Sequence, residues 1–283
     1  TTVGDFETDR TVVTSLASML PRRLQQALPM VGSVDFQDFD LDLGEISGTV
    51  TWNPPSDVSE LHGYELYLTD ATWNGPNHIH IGSVPVGTNV LLVPENTTLS
   101  GPRGNLSHIF VFTRSLLGTS PEGRGVALCD VRWQDRLFLV NAEETTVKWG
   151  VLEASFFSLP DCSGTAMRWA QAASTDSEAA HAAPLAFDGD ASSAWISNCS
   201  GSCGTGAMSL GVIGVCRPEE VRCMRLSQCN PGSPSMNCPM AAGRLGRLTL
   251  LIRGKEVYTW KTLKGLQSGR DDVLSEEVLL IAG

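Results

Sequence analysis

Eight cysteines, five histidines and a few closely spaced aspartates are the residues of this 283-residue chain whose types and spacing could do chemistry. The histidines are His62, His78, His80, His108 and His181. His78 and His80 share one face of an expected strand and could grip a metal if a third ligand joined them. None stands nearby in the sequence, so a surface pair is the simpler expectation. No GxSxG, HExxH or Walker-type string occurs, and no cysteine has the histidine context of a nucleophile. The chain is therefore expected not to be an enzyme. Asp188 and Asp190 flank a glycine, where aspartate favours a tight turn. The acidic run from Asp35 to Glu45 could bind calcium. Its alternation with Val34, Phe36, Phe39, Leu41 and Leu43 reads instead as a soluble edge strand protected against pairing.

The cysteines are Cys129, Cys162, Cys199, Cys203, Cys216, Cys223, Cys229 and Cys238. No CxxC pair occurs and no histidine follows at a ligand spacing, which argues against zinc. Three N-glycosylation acceptors accompany them, at Asn96, Asn105 and Asn198. An even cysteine count beside three sequons points to disulfides in an extracellular or cell-surface setting. Short separations suggest Cys229–Cys238, across the turn-rich NPGSPSMN, and Cys216–Cys223. Cys199 and Cys203 flank Ser-Gly-Ser and could close a small ring or each reach elsewhere. Cys129 and Cys162 are then left to pair with each other.

The elements that must position these residues are short strands. Hydrophobic residues make up 42% of the chain and charged residues 18%, a globular balance. With 28 Gly and 15 Pro, many turns are expected. The net charge of −11 repels phosphate, so nucleic acid is not an expected partner. No apolar run is long enough to cross a membrane, and no Trp or Phe loop spikes suggest insertion into one. The start at Thr1, with no signal peptide, reads as a processed product or an excised fragment.

Over residues 1–30, Val12, Val13, Leu16, Met19, Leu20, Leu24, Ala27 and Leu28 recur at helical spacing. Pro21 divides the pattern into two short helices, whose stripe must pack on a neighbour. The segment reads as the tail of an upstream domain, and Arg22-Arg23 as a solvated pair. Residues 31–132 carry seven strand signals, among them TVTW, GYELYLTD, HIHIGSV, TNVLLVP and SHIFVFTRS. Trp52 followed by Pro54-Pro55, Tyr64 in GYELYL, and LGTSPEG at Leu117 to Gly123 resemble the fibronectin type III family. The resemblance implies a β-sandwich with its last hairpin turn at Leu117 to Gly123. Ser107-His108-Ile109 departs from the tyrosine that usually opens the sixth strand.

Residues 133–283 are again strand-rich. The string APLAFDGDASSAWIS, from Ala183 to Ser197, carries a small residue, a DGD turn and a Trp a few residues on. With AMSLGVIGVCRPEEV, VRCMRL and GRLTLLIRGKEVYTW in that order, it resembles the discoidin, or coagulation factor 5/8 type C, family. The resemblance implies a jelly-roll sandwich with Trp195 in its core and a backbone turn at Arg253-Gly254-Lys255. It also implies that Asp188 and Asp190 could hold a structural calcium ion, with Glu276 or Glu277 as helpers, although no cofactor is required. Inserts at Asn198 to Gly206 and Asn230 to Gly243 depart from the family. The basic side chains Arg244, Arg247, Arg253 and Lys255 could meet an acidic glycan or a neighbouring subunit, or form a solvated rim.

The expected fold is thus all-β, two β-sandwiches behind a short N-terminal helical segment. The expected function is that of an extracellular structural or adhesive glycoprotein, part of a larger surface or filament-forming protein, with protein partners or self-association through the sandwich faces. The alternatives are a carbohydrate-binding module acting through the discoidin-like loops, or an accessory module of a secreted hydrolase.

Overall fold

The computed structural model describes residues 28–71, 73, 77–229, 238, 242–261, 263 and 276–281, residues 276–280 by their backbone alone. The expected N-terminal helical segment up to residue 27, with Arg22-Arg23, lies outside the described residues. So do most of the 230–243 loop and the side chains of Glu276 and Glu277.

The described chain is nearly all β, built from several antiparallel sheets. In order come β1 (Val34–Asp38), β2 (Glu45–Trp52), β3 (Gly63–Thr69), β4 (His78–Pro85), β5 (Val90–Thr98), β6 (Ser100–Gly101), β7 (Gly104–Asn105), β8 (His108–Ser115) and β9 (Gly118–Ala127). They pair as β1-β2-β5, β4-β3-β8-β9 and a small β6-β7 hairpin. Period-two alternation turns Ile46, Val50 and Trp52 of β2, Tyr64, Leu66 and Leu68 of β3, and Ile109 and Val111 of β8 into one shared cluster. Trp52 meets Tyr64 edge-on at 5.2 Å, a favoured aromatic arrangement.

The second group comprises β10 (Arg136–Asn141), β11 (Lys148–Phe157), β12 (Gln171–Ser174), β13 (Trp195–Ile196), β14 (Ser209–Ile213), β15 (Cys223–Gln228), β16 (Ala242–Gly243), β17 (Leu248–Ile252), β18 (Lys255–Trp260) and β19 (Glu276–Leu280). One sheet runs β12-β14-β10-β17-β18 and the other β13-β11-β15-β19, with β16 parallel to β11. Their inward side chains form a second, larger cluster around Trp149 and Trp195, both fully buried. The Trp149 indole donates to Gln228 Oε1 at 2.8 Å, so burying its N–H leaves no lost hydrogen bond. Asn141 is equally satisfied: its amide donates to Gly204 O and Glu143 O and accepts from Met208 N.

Two sequence expectations move. The last hairpin of the first group turns at Leu116-Leu117 rather than over Leu117 to Gly123, because Gly118 to Gly123 already belong to β9. Pro121 is tolerated there since β9 is an edge strand. Leu116 and Leu117 stand out at 83% and 71% exposure. The expected strand over the Asp35–Glu45 run ends at Asp38, and Asp38 is buried.

The cysteines pair as Cys129–Cys216, Cys162–Cys223, Cys199–Cys203 and Cys229–Cys238. Cys229–Cys238 is the pair expected from its short separation, and Cys199–Cys203 takes the small-ring alternative of the two left open. Cys216–Cys223 and Cys129–Cys162 do not form, because strand register rather than sequence distance decides proximity. Cys223 opens β15 opposite Phe157, the last residue of β11, and Cys162 lies in the turn that follows. Cys129 follows β9 and Cys216 follows β14, at the place where the first group of sheets meets the second. The four bridges indicate an oxidising environment, and no helix among the described residues is long and apolar enough to cross a membrane.

The junction around Cys129–Cys216 is polar and closely fitted. The Arg168 guanidinium donates to both Asp35 oxygens at 2.7 Å, and the Gln37 amide donates to Trp169 O. Trp133 N donates to Leu41 O at 3.1 Å. Gly214, at φ 70°, allows close approach: a Cβ there would lie 2.8 Å from Leu41 and 2.6 Å from Ala170. Beneath these contacts the Asp38 carboxylate accepts the backbone N–H groups of Asp40, Ser47 and Val131. Burial nonetheless pushes its pKa up to about 6. A cavity of about 320 Å³ beside it is lined by Phe36, Met167, Trp169 and the Cys129–Cys216 bridge.

Candidate functional site

The outward face of β4-β3-β8-β9 carries a contiguous aromatic array. Strand alternation that sends Leu66, Leu68, Ile109 and Val111 inward leaves Tyr67, Phe110 and Phe112 on the opposite side. Tyr67 is paired with His80 in the β3–β4 register and with Phe110 in the β3–β8 register. Its ring centroid lies 5.0 Å from His80, 5.7 Å from His78, 5.8 Å from Phe112 and 5.2 Å from Trp73. Trp73, in the β3–β4 connection, lies 4.0 Å from Phe112, which is fully buried in the array, and Phe112 stacks on Phe110 at 6.1 Å. Opposite the two phenylalanines β9 has Gly125 and Gly123, where a Cβ would come within 2.6 Å of either ring. The glycines let the rings lie flat on the strand, the arrangement known as aromatic rescue.

One edge of this array is polar. The Glu65 carboxylate, 12% exposed, takes His80 Nε2 on one oxygen at 2.8 Å and Arg114 Nε on the other at 3.0 Å. Ser83 Oγ also donates to Glu65. Glu65 and Arg114 cancel, so the edge is neutral when His80 is neutral, within a group of strands that is otherwise strongly acidic: residues 31–135 hold 13 acidic and 4 basic side chains. The outward positions of β1 and β2 in the other sheet are instead Asp35, Gln37, Thr49 and Thr51.

The comparisons give no relative: no family model, curated protein or solved structure matches this chain.

The turn of Asp188-Gly189-Asp190 spends its carboxylates on itself. Asp188 accepts Asp190 N and Ser193 Oγ, both at 2.8 Å, and Asp190 accepts Ser192 N at 2.8 Å. The Ser192 donors hold the Asp190 pKa below the ordinary carboxylate range. Gly189 supplies the required positive φ of 76°. A neighbour that sequence reasoning missed is Glu153, which β11 brings against this turn. Burial, with Asp188 beside it, pushes the Glu153 pKa up to about 7. Trp195, expected in the core, is fully buried there.

Among the described residues, one group of three carboxylates converges, Asp40, Asp42 and Glu45, with oxygens within 4.8 Å of one another. Three ligands are fewer than a calcium ion takes, and Asp40 already accepts the N–H groups of Asp42 and Asn96. The geometry is that of a turn, and no cation is assigned to it. His78 and His80 belong to no such group of described residues.

The basic side chains that could meet a ligand or form a solvated rim are partly engaged within the molecule. Arg253, at φ 50° in the β17–β18 turn with Gly254, reaches Asp135 at 2.8 Å and Glu219 at 3.1 Å. Arg247 lies 3.9 Å from Glu143, and Arg244 donates to Leu263 O at 2.8 Å. Replacing Arg253 with methionine is expected to cost about 1–2 kcal/mol, the value of a hydrogen bond to a charged partner lowered by the 40% exposure of the guanidinium. Arg132 keeps Asp135 partnered at 2.9 Å. Urea titration checks the loss, and an unchanged midpoint would mean that Arg132 suffices alone.

Proposed function

We propose that this chain is a structural or adhesive module of an extracellular glycoprotein: a fibronectin III-like sandwich over residues 31–132 followed by a discoidin-like sandwich over 133–283. In this reading each hydrophobic cluster is the core of one sandwich, and the module works by presenting its outer faces to protein partners or to further copies of itself. The observation that carries the proposal is the Cys129–Cys216 bridge, which joins the two strand groups covalently. A recognition module gains from a fixed spacing between its faces. The sequon asparagines support the reading: Asn96, Asn105 and Asn198 are all exposed and accessible to glycan addition.

Peptide mass spectrometry without reduction, on protein secreted from a glycosylating host, is the test. Disulfide-linked peptides containing Cys129 with Cys216 and Cys162 with Cys223 are expected, with glycan on all three asparagines. Free thiols throughout would remove the extracellular reading. Light scattering over a concentration series tests assembly, for which mass rising with concentration is expected.

A further inference from the structure

We infer that the aromatic face of β4-β3-β8-β9 binds a neutral carbohydrate, stacking a pyranose ring on Tyr67 and Trp73 and hydrogen-bonding its hydroxyls to the Glu65–His80–Ser83–Arg114 edge. The inference rests on the extracellular setting proposed above, where glycans are the abundant ligands. It places the binding on the first group of strands, away from the loops of the second.

The outer face of an antiparallel sheet ordinarily alternates polar side chains into water. Here Tyr67, Trp73, Phe110 and Phe112 contact one another in series, and the half-buried Tyr67, Trp73 and Phe110 keep part of their surface open. Aromatic rescue of Gly123 and Gly125 accounts for Phe112 and Phe110. It does not account for Tyr67, Trp73, His78 and His80, which lie towards the opposite edge of the sheet, on β4 and β3 and the connection between them.

The chemistry of the ligand follows from the two parts of the face. A sugar ring presents a patch of C–H groups that stacks on an aromatic plane and a rim of hydroxyls that both donate and accept. The aromatic part offers the plane. The edge offers a guanidinium donor held at 43% exposure, an imidazole at 47% exposure that can donate or accept, and a hydroxyl, all three oriented by the Glu65 carboxylate, which is itself 12% exposed. A peptide strand would need a free sheet edge rather than a face. An anion would meet the field of an acidic chain, and Arg114 is already neutralised by Glu65. A neutral polyol with one apolar side meets no such objection.

Saturation-transfer difference NMR on the intact chain, with lactose, cellotetraose and mannotetraose as probes, tests the inference. Transfer concentrated on ring C–H protons of at least one probe is expected. Tyr67→Ala and Trp73→Ala should each weaken binding about tenfold or more, the loss of one aromatic contact. Asp188→Ala, at the turn in the second group of strands, should leave it unchanged. Should either aromatic variant fail to fold, His80→Ala, at an exposed position, is expected to weaken binding severalfold. No transfer to any probe from folded protein would overturn the inference, as would binding insensitive to all three face variants or abolished by Asp188→Ala. Each of those results leaves the disulfide and glycan test untouched, so the two proposals fail separately.

Discussion

Serine at both Cys129 and Cys216 lowers the stability of the protein by about 2–5 kcal/mol, the usual cost of losing a native bridge that closes a long loop. The bridge spans 87 residues, the longest separation of the four. Its loss frees the denatured chain and leaves the connecting backbone as the only covalent tie between two strand groups, each with its own hydrophobic cluster. What remains at the junction is weaker. The Arg168–Asp35 pair is half exposed and worth at most about 1 kcal/mol. Calorimetry should therefore show one cooperative transition in the parent splitting into two in the variant. A single transition within about 1 kcal/mol of the parent would show that the non-covalent junction alone unites the groups.

The second large effect is a stability that falls as pH rises. Asp38 has a folded pKa of about 6 against 3.8 for the free group, and Glu153 about 7 against 4.5, burial being the main cause in both. Both are raised, so folding favours the protonated acid. The stability they contribute is complete below the unfolded values and is lost as pH climbs through the folded ones. Between about pH 4 and pH 7 the buried Asp38 withdraws on the order of 2 kcal/mol, and the half-buried Glu153 less than its full shift implies, because solvent screens it. Asp57, Asp161 and Asp190 are shifted the other way, but they are fully exposed and their effect is screened. Melting temperature measured in a chelating buffer should be higher at pH 4.5 than at pH 7.5. Asp38→Asn and Glu153→Gln should each flatten the profile. A melting temperature that climbs between pH 5 and pH 8 would contradict the burial of both carboxyls.

The strands were legible wherever one face is apolar and the other polar. GYELYLTD alternates cleanly and β3 occupies it within one residue, whereas TVTW marks only the second half of β2, which begins four residues earlier at Glu45. Alternation fails at SHIFVFTRS because Ile109, Val111, Phe110 and Phe112 make both faces of β8 apolar. The aromatic face was hidden there: a run apolar on both sides reads as a buried strand, and only the placement of β4 and β9 shows which side is outermost. The His78 and His80 pair was visible in sequence, but Tyr67, Trp73 and Glu65 join it only through the β3–β4 register and the chain that connects the two strands. Asp38 was misread for a related reason. Its neighbours at 40 and 42 are surface acids, whereas Asp38 turns inward to take backbone donors from Ser47 and from Val131, 93 positions away. Of the cysteine pairs that do not form, Cys216–Cys223 followed from short separation and Cys129–Cys162 from elimination, and neither carries information on the register between β11 and β15.

The place of the first bridge also decides how the chain responds to mechanical load. Tension applied between a point before Cys129 and a point after Cys216 passes through the sulfur atoms and skips the residues between them. That stretch, a sequence separation of 87 and about 300 Å of contour length when drawn straight, is then withheld from extension until the bridge is reduced. A thiol reductant would release that hidden length under force, so the chain would be short and stiff when oxidised and long and compliant when reduced.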